Sequence, residues 1–409
     1  MLKSNLSLAA CLAGLAMGVC CSDSDKPLGP ADSYLLFAPQ AGKMEGALPV
    51  VRRLDIKDEA AQPLPSLLES SFAFEMVRTS YLLKQFIREA KIDGRRFSAS
   101  AQRNAAEPTC MVLGLERSPY GRGLALPKTF GGVQPHPRLP WVGLPADPAA
   151  DKALVQTLAG RLASYIAHLV GTGGDLGDGA APPPALVQGY RIAMEVIARE
   201  WRIGTGPAGV VQTDEGTSAQ REIFANVREN RYVLGGEGGG LRSGADLLVD
   251  PGVAATLIYR MAQSRALAGR VAPEAFYAPF ASNRFPPGVS PAAVLGTFRN
   301  FQAKLLGAWA TAVLAGHAPR DVLDLIESYG AAFPAERSEA VRIFLVTTFG
   351  ATVKAGGIST KPQDSTRALA ELTGMTAEVV AGRRSLRDAL AGGAAAAGPD
   401  HASSHEQVQ

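Results

Sequence analysis

The stretch that decides the fold is DPAADKALVQTLAGRLASYIAHLVG, residues 147–171. Its large apolar side chains recur every three or four residues, which places them on one face of a helix. They are Leu154, Leu158, Leu162, Tyr165 and Leu169. Asp147 followed by Pro148 is typical of a helix start, and Gly171 is typical of a helix end. The stretch therefore predicts an amphipathic helix whose apolar face packs against a core.

The same signals recur on both sides of this stretch. Asp250-Pro251 and Ser290-Pro291 repeat the capping dipeptide, and an apolar stripe at helical spacing follows each of them. Residues 66–91 form a further stripe on the N-terminal side. Strands do not alternate regularly with these helices, which argues against doubly wound and barrel folds. We therefore predict a mainly α protein, a compact multi-helix domain with a smaller mixed, loop-rich N-terminal segment.

The predicted organisation has five parts along the chain. They are a signal over residues 1–21, a tether over 22–33, a mixed segment over 34–146, a helical domain over 147–391 and a disordered tail over 392–409. The mixed segment contains one long helix, short apolar runs at 34–37, 50–54 and 109–114 that are candidate strands, and a Pro/Gly-rich loop. The lone Cys110 of the third run is expected to be a buried small hydrophobe.

Composition excludes two broad classes of protein. Lys and Arg number 41 against 38 Asp and Glu, so the formal net charge of the 409 residues is +3. So small a charge produces no strong basic field, and a dedicated nucleic-acid binder is not expected. Hydrophobic residues make up 46% of the chain, which is too many for an intrinsically disordered protein.

The N-terminal sequence MLKSNLSLAACLAGLAMGVCCSDSD, residues 1–25, is typical of an export signal. Lys3 supplies a positive charge, and the run from Leu6 to Val19 is apolar or small except for Ser7. This run is shorter than the roughly 20 apolar residues that span a bilayer. We therefore expect a secretory signal.

A Cys at the end of this apolar run, followed by a polar tether, resembles a bacterial lipoprotein signal. In that family the Cys becomes the lipidated first residue of the mature protein. The resemblance implies Cys21 as the lipid site, with Cys20 the less favoured choice because Val19 precedes it. Cys11 has the best short motif in front of it, but cleavage there would leave almost no apolar segment. Ser22 after Cys21 implies, by the family rule, the outer membrane.

The same N-terminus is compatible with two further interpretations. An ordinary secretory signal, cut near Gly18 or Cys21, would give a periplasmic or secreted protein. A buried N-terminal helix would give no export at all. Export with lipidation predicts that the membrane is a partner through the N-terminal lipid, and that a further partner is an envelope protein.

The most unusual local feature is GGEGGGLRSGAD, residues 235–246. Glycines allow backbone N–H groups to approach an anion closely. The stretch is neither a Walker A loop nor a dinucleotide-binding motif. As a ligand or active-site loop, it would use Arg242 to pair an anion and Glu237 or Asp246 to handle a proton or a metal. Ser243 adds a candidate hydroxyl nucleophile without a local base; the alternative is a surface connector.

Two other residues are candidates for ligand contacts. His168, at the edge of the apolar face of its helix, could be an axial haem ligand or a hydrogen-bonded boundary residue. Trp141 ends the proline-rich stretch PHPRLPW, residues 135–141. This stretch would be a partner-docking strip, a lid over a cleft, or a loop with Trp141 in the core. No standard zinc motif occurs in the sequence, so no metal is predicted and haem is the alternative cofactor.

One spacing predicts a surface feature. Arg191, Glu195 and Arg199 lie four residues apart, opposite the apolar stripe of their helix, and we expect a solvated ladder of ion pairs.

Two functional hypotheses remain. The favoured one is an exported, lipid-anchored envelope protein that acts by binding a partner or a ligand. The alternative is an extracytoplasmic helical enzyme, a hydrolase or a haem-type oxidoreductase, with a site near residues 235–246. The sequence does not decide whether the protein is an enzyme.

Overall fold

The structure of the protein is a computed structural model. It describes residues 34–55, 57–62, 64, 68, 71–115, 121–128, 132–148, 150–151, 153–176, 181–205, 218–233, 247–281 and 291–349. The predicted signal, tether and C-terminal tail lie outside these ranges, and so do residues 234–246.

Five strands form the N-terminal part of the described chain. They are β1 (Tyr34–Glu45), β2 (Leu48–Arg53), β3 (Thr109–Leu113), β4 (Gly121–Lys128) and β5 (Gly132–Leu144). The strands close into a barrel in the order β1-β2-β4-β5-β3. β1 and β2 form one antiparallel hairpin and β4 and β5 another. The three remaining pairs, β1 with β3, β3 with β5 and β2 with β4, are parallel.

The barrel separates two apolar clusters. Successive residues of a strand face opposite sides of the sheet. In β1, Leu35 belongs to the small cluster inside the barrel, whereas Leu36 joins the large core that the helices share. In β3, Cys110 and Met111 divide in the same way. Every residue of β3 is buried, since this strand has the barrel core on one side and the helical core on the other.

The barrel corrects the predicted fold class. The expectation of a mainly α protein with a loop-rich N-terminal segment is wrong, because β4 and β5 occupy much of the predicted Pro/Gly-rich loop. The Pro/Gly-rich composition predicted a loop, because proline lacks the N–H that a strand ladder uses. Three of these prolines are Pro127, Pro135 and Pro140. In the structure they lie within the β4–β5 hairpin, where Pro135 is opposite Ala125 and Pro140 is opposite Arg122. The short runs predicted as strands in β1, β2 and β3 are confirmed.

Eleven α-helices occur in the described part of the chain. They are α1 (Phe72–Glu89), α2 (Ala99–Ala106), α3 (Leu154–Gly171), α4 (Pro184–Thr205), α5 (Ser218–Arg228), α6 (Pro251–Gln263), α7 (Arg265–Ala268), α8 (Glu274–Ala281), α9 (Pro291–Leu314), α10 (Val322–Ala332) and α11 (Arg337–Phe349). α4 packs between α3 and α6, and α1 packs against α3 and α9. None of the helices within the described ranges has the length and apolar character needed to cross a bilayer.

Local sequence explains most of the helix boundaries. Asp250 caps α6 as predicted, because its Oδ1 accepts the N–H groups of Gly252 and Val253 at 2.8 and 2.9 Å. Gly171 ends α3 as predicted. The predicted start of that helix at Asp147 is wrong, since turns separate Asp147 from the first helical residue, Leu154. Pro291 begins α9, and Gly296 with a φ of 70° introduces a kink inside it.

Candidate functional site

The structure locates only part of the predicted site. Glu237, Arg242, Ser243 and Asp246 lie outside the described residues, as do Cys20 and Cys21. The predictions made for these six residues therefore stay predictions.

Trp141 lies in β5, with its side chain in the cluster inside the barrel. It is 9% exposed, and its indole Nε1 donates a hydrogen bond to the carbonyl of Gly123 at 3.1 Å. Its ring packs against Gly121, where an added Cβ would lie 2.7 Å from Cη2. The side chain thus fills the barrel interior, in the core position that the sequence allowed as an alternative to a docking strip.

His168 lies in the last turn of α3. Its Nδ1 donates to the carbonyl oxygen of Ser164 at 2.8 Å, one turn back along the helix. Burial lowers the pKa of its imidazole. Within the described ranges, no three His, Cys, Asp or Glu side chains come close enough together to bind a metal ion.

A small cavity lies where α3, α4 and α5 meet. Its volume is about 20 Å³, and a polar cavity needs roughly 10–15 Å³ to hold one water molecule. Four lining residues are polar and three are apolar. They are Gln156, Glu195, Arg199 and Gln220, and Val196, Ile223 and Phe224. Most of the surface that these residues present to the cavity is nevertheless apolar, and the space is about the size of a water molecule.

Gly160 of α3 positions the carboxylate of Glu195 at this cavity. A Cβ added to Gly160 would lie 2.7 Å from Cγ and Cδ of Glu195, and closer still to Oε1. A side chain at residue 160 would force this carboxylate to move from its present position. Burial raises the pKa of Glu195, and the guanidinium groups of Arg191 and Arg161 oppose that shift. Perturbed carboxyl groups beside a cavity are frequent at functional sites.

The expected solvated ladder of ion pairs is partly wrong. Arg191 does pair with Glu195, with 3.1 Å between Nη1 and Oε1. Arg199, however, is only 6% exposed, because α5 covers it and the Phe224 ring lies 4.5 Å from its guanidinium carbon. Because α5 packs on α4, Arg199 lines the cavity instead of facing solvent. The periodicity of α4 alone cannot indicate this contact.

Gln156 completes the polar wall from α3. It is 6% exposed, and its Oε1 accepts no hydrogen bond from any described residue. A buried amide oxygen without a donor is unfavourable by about 1–3 kcal/mol, so it is normally satisfied by water or a ligand. Sequence reasoning missed this site. One available signal was Gly160, since a glycine inside a helix costs about 1 kcal/mol relative to Ala and often has a packing reason.

A second polar cluster joins α1 to the barrel. The side chain of Lys84 is fully buried, and its Nζ donates to Thr109 Oγ1 at 2.9 Å and to the carbonyl of Glu107 at 3.0 Å. Ser80 Oγ lies 3.2 Å from the same Thr109 hydroxyl. Burial lowers the pKa of Lys84 to about 8 and raises that of the neighbouring Cys110 to about 12. The cluster contains groups common in catalysis, but all of them are enclosed by protein.

A third cluster surrounds Lys304 of α9. Its Nζ lies 2.8 Å from both carboxylate oxygens of Glu336 and donates to the carbonyls of Leu267 and Arg270. Tyr329 donates to Glu336 from the other side, and burial raises the pKa of the Tyr329 hydroxyl. Lys304 is 0% and Glu336 3% exposed. The pair joins Lys304 of α9 to α7, to Tyr329 of α10 and to Glu336, which directly precedes α11.

The comparisons with known proteins found no relative of this chain. No protein family model matches the chain, no curated protein is similar to it, and no solved structure matches it. The site among α3, α4 and α5 is therefore interpreted from its own chemistry.

Proposed function

We propose that the protein is an exported bacterial envelope protein, anchored to a membrane through a lipid on Cys21, and that it acts by binding. The observation that carries the proposal is the N-terminal sequence. A positive charge, a short apolar run, a Cys and a polar tether follow one another within residues 1–25. Stable anchoring needs more than one acyl chain, which the lipid of this signal class is expected to provide.

The position of β1 is compatible with such an anchor. The first described residue of the barrel is Tyr34, so residues 22–33 separate it from Cys21. A chain of this length spans at most about 40 Å when fully extended. An anchored protein would therefore keep Tyr34 within that distance of the membrane.

The distribution of ionisable groups supports binding over catalysis. The amines of Lys84 and Lys304 and the carboxylate of Glu336 are buried and make their hydrogen bonds within the protein. A catalytic group needs access to its substrate. The cavity beside Glu195, at about 20 Å³, has room for one water molecule and is far smaller than a ligand pocket, which takes roughly 300 Å³ or more.

One observation favours the enzyme alternative. Glu195 has a pKa raised by burial and borders a cavity that can hold a water molecule. These are two requirements for general acid or base catalysis. The 3₁₀ turn Arg231–Val233 follows α5 directly, and the glycine-rich stretch at 235–246 begins two residues later. An enzyme of this kind would lose turnover, but not its membrane anchor, on substitution of Glu195.

The proposal is tested by labelling bacteria that express the full chain with an alkyne-modified fatty acid. We expect the label on the protein and the protein in the membrane fraction. Cys21→Ser should remove the label and release the protein from the membrane, whereas Cys20→Ser is the matched control and should keep both. Absence of label from the unmodified chain, or label that survives Cys21→Ser, would overturn the lipid assignment.

A further inference from the structure

A surface patch near the start of α1 combines an exposed aromatic side chain with cationic ones. We propose that this Trp201 patch, formed by Trp201, Phe298, Arg78 and Arg299, contacts the anionic head groups of a phospholipid membrane. The inference rests on the proposed lipid anchor and names the surface by which the anchored protein meets the membrane. Its residues are remote in sequence from the signal, so the patch and the anchor can be tested separately.

Trp201 supplies the apolar part of the patch. It is 40% exposed, whereas the two other tryptophans of the chain, Trp141 and Trp309, are 9% and 1% exposed. The Trp201 ring packs against Phe72 with 5.8 Å between the centroids, and Phe298 packs against the same Phe72 ring at 4.9 Å. An indole that is supported from below and open to the outside suits a membrane interface, where tryptophan is enriched.

Two arginines beside these rings share one carboxylate. Arg299 directly follows Phe298, and Glu75 lies one helical turn after Phe72. Glu75 pairs with Arg78 through Oε1 at 2.8 Å and with Arg299 through Oε2 at 3.0 Å. The Glu75 side chain is 14% exposed, against 35% for Arg78 and 22% for Arg299. Two positive charges and one negative charge give a net +1, and the positive groups are the more exposed ones.

The single carboxylate does not match both arginines. Burial lowers the pKa of Arg299, the carboxylate of Glu75 opposes this shift, and the charge of Arg78 adds to it. Each guanidinium group has five N–H donors, so the two groups together have more donors than the about four lone-pair sites of a carboxylate can accept. Phosphate oxygens of lipid head groups accept such donors in the same geometry.

The patch lies within reach of the proposed anchor. Tyr34, where the tether ends, pairs with Thr109 of β3, and the Thr109 hydroxyl lies 3.2 Å from Ser80 Oγ of α1. Phe72 begins α1 eight residues before Ser80, which corresponds to about 12 Å along the helix. The tether can span about 40 Å. A membrane that holds the lipid can therefore also contact the Trp201 patch.

The anchor makes a weak contact sufficient. One net positive charge near an anionic surface strengthens binding about fivefold, and salt screens this effect. So small a gain does not hold the protein on a membrane by itself, and Cys21→Ser is still expected to release it. With the lipid in place, the contact becomes intramolecular and benefits from a high effective concentration.

Tryptophan fluorescence of the full chain, purified from the fraction in which it accumulates, tests the proposal. The probes are vesicles of phosphatidylcholine, alone or with about one third phosphatidylglycerol, whose acyl chains carry bromine as a quencher. We expect the Trp201 emission to be quenched about fivefold more in the anionic vesicles. Trp201→Phe should remove most of this quenching, because Trp141 and Trp309 are buried.

Charge variants locate the contact. Arg78→Gln removes the net charge and should abolish the dependence on phosphatidylglycerol. Arg320→Gln, at an arginine outside the patch whose side chain is 74% exposed, should retain it. The comparison of the two vesicle types in the unmodified protein remains decisive even if a variant fails to fold. Equal quenching in both vesicle types, or no quenching, would overturn the inference.

Flotation of the same vesicles reports the anchor separately. Protein that floats with phosphatidylcholine vesicles without quenching in the anionic ones would overturn the membrane contact of the patch and leave the anchor unaffected. Protein that does not float with phosphatidylcholine, but is quenched in anionic vesicles, would support the patch and contradict the anchor.

Discussion

The carboxylate of Glu195 on α4 occupies the space that a side chain at residue 160 of α3 would fill. Any Cβ at Gly160 would come within 2.7 Å of Cγ and Cδ of that glutamate. A helix interior normally favours Ala over Gly by about 1 kcal/mol. Gly160 therefore lowers the intrinsic stability of α3, but it leaves room for the carboxylate of Glu195 at the interface between α3 and α4.

The first prediction concerns this pair of residues. In the unmodified protein, Gly160→Ala should destabilise the fold by about 1–3 kcal/mol, because the new methyl group collides with Glu195. In a Glu195→Ala background the collision disappears, and the same substitution should stabilise the fold by about 1 kcal/mol through helix propensity. Urea denaturation of the four proteins measures both effects. An identical change in unfolding free energy in the two backgrounds would show that the residues are not coupled.

The second prediction concerns the buried pair of Lys304 and Glu336. Glu336→Gln should lower the free energy of unfolding by about 3–5 kcal/mol, because it leaves a buried ammonium without its counter-charge. Arg320→Ala is the matched control at an ion pair in which Arg320 is 74% exposed, and should cost less than about 1 kcal/mol. Thermal and urea denaturation measure both. A loss at Glu336 as small as that at Arg320 would contradict the assignment of a structural role.

The third prediction is a dependence of stability on pH. Burial lowers the pKa of Lys84 from 10.5 to about 8, so between these values the unfolded chain binds a proton that the folded protein has released. Lys84 alone then makes the free energy of unfolding rise by about 1 kcal/mol from pH 8 to pH 9. The raised pKa of Cys110, about 12, opposes part of this rise from about pH 8 upward, because the thiol of the unfolded chain, with an ordinary pKa of 9.0, begins to lose its proton there.

Lys84→Met should remove this gain between pH 8 and 9, because it deletes the titrating amine. Urea denaturation at half-unit pH intervals compares the variant with the unmodified protein. In a Cys110→Ala background no thiol at residue 110 opposes the effect of Lys84, so the comparison of variant and unmodified Lys84 can be extended to pH 10. The same rise in stability with and without Lys84 would assign the titration to other groups.

The fourth prediction concerns thiol reactivity. Cys110 is 0% exposed, and burial raises its pKa to about 12. Because the thiolate is the reactive form, the native protein should not react with a thiol reagent at pH 8. The test uses the full chain with Cys11, Cys20 and Cys21 changed to Ser, so that Cys110 is the single thiol. Reaction should begin only on addition of denaturant; prompt reaction in buffer would show that the barrel opens readily.

Local sequence could predict the helices but not how the chain closes its barrel. Asp250 predicted the start of α6 correctly, because a cap depends on residues two and three positions away. β4 and β5 were missed, since Pro127 and Pro135 remove the alternation of apolar and polar residues that indicates a strand. β4 and β5 pair with each other as a hairpin, and their further pairs with β2 and β3, which lie earlier in the sequence, close the barrel.

The candidate site was missed for a related reason. Arg199 has the spacing of a surface residue on its own helix, and only the packing of α5 makes it part of a cavity. Gln156 is a polar residue on a helix that is otherwise largely buried. The burial of both residues depends on contacts between helices, whereas periodicity describes one helix at a time. Gly160 was the local signal that a close approach occurs at this position.

The most direct test of the account is an intact mass measurement on the protein purified from bacteria that express the full chain. The account predicts a polypeptide that begins at Cys21 and carries the additional mass of covalently bound acyl chains. A polypeptide that still contains residues 1–20, or that begins at another residue without added lipid mass, would contradict it.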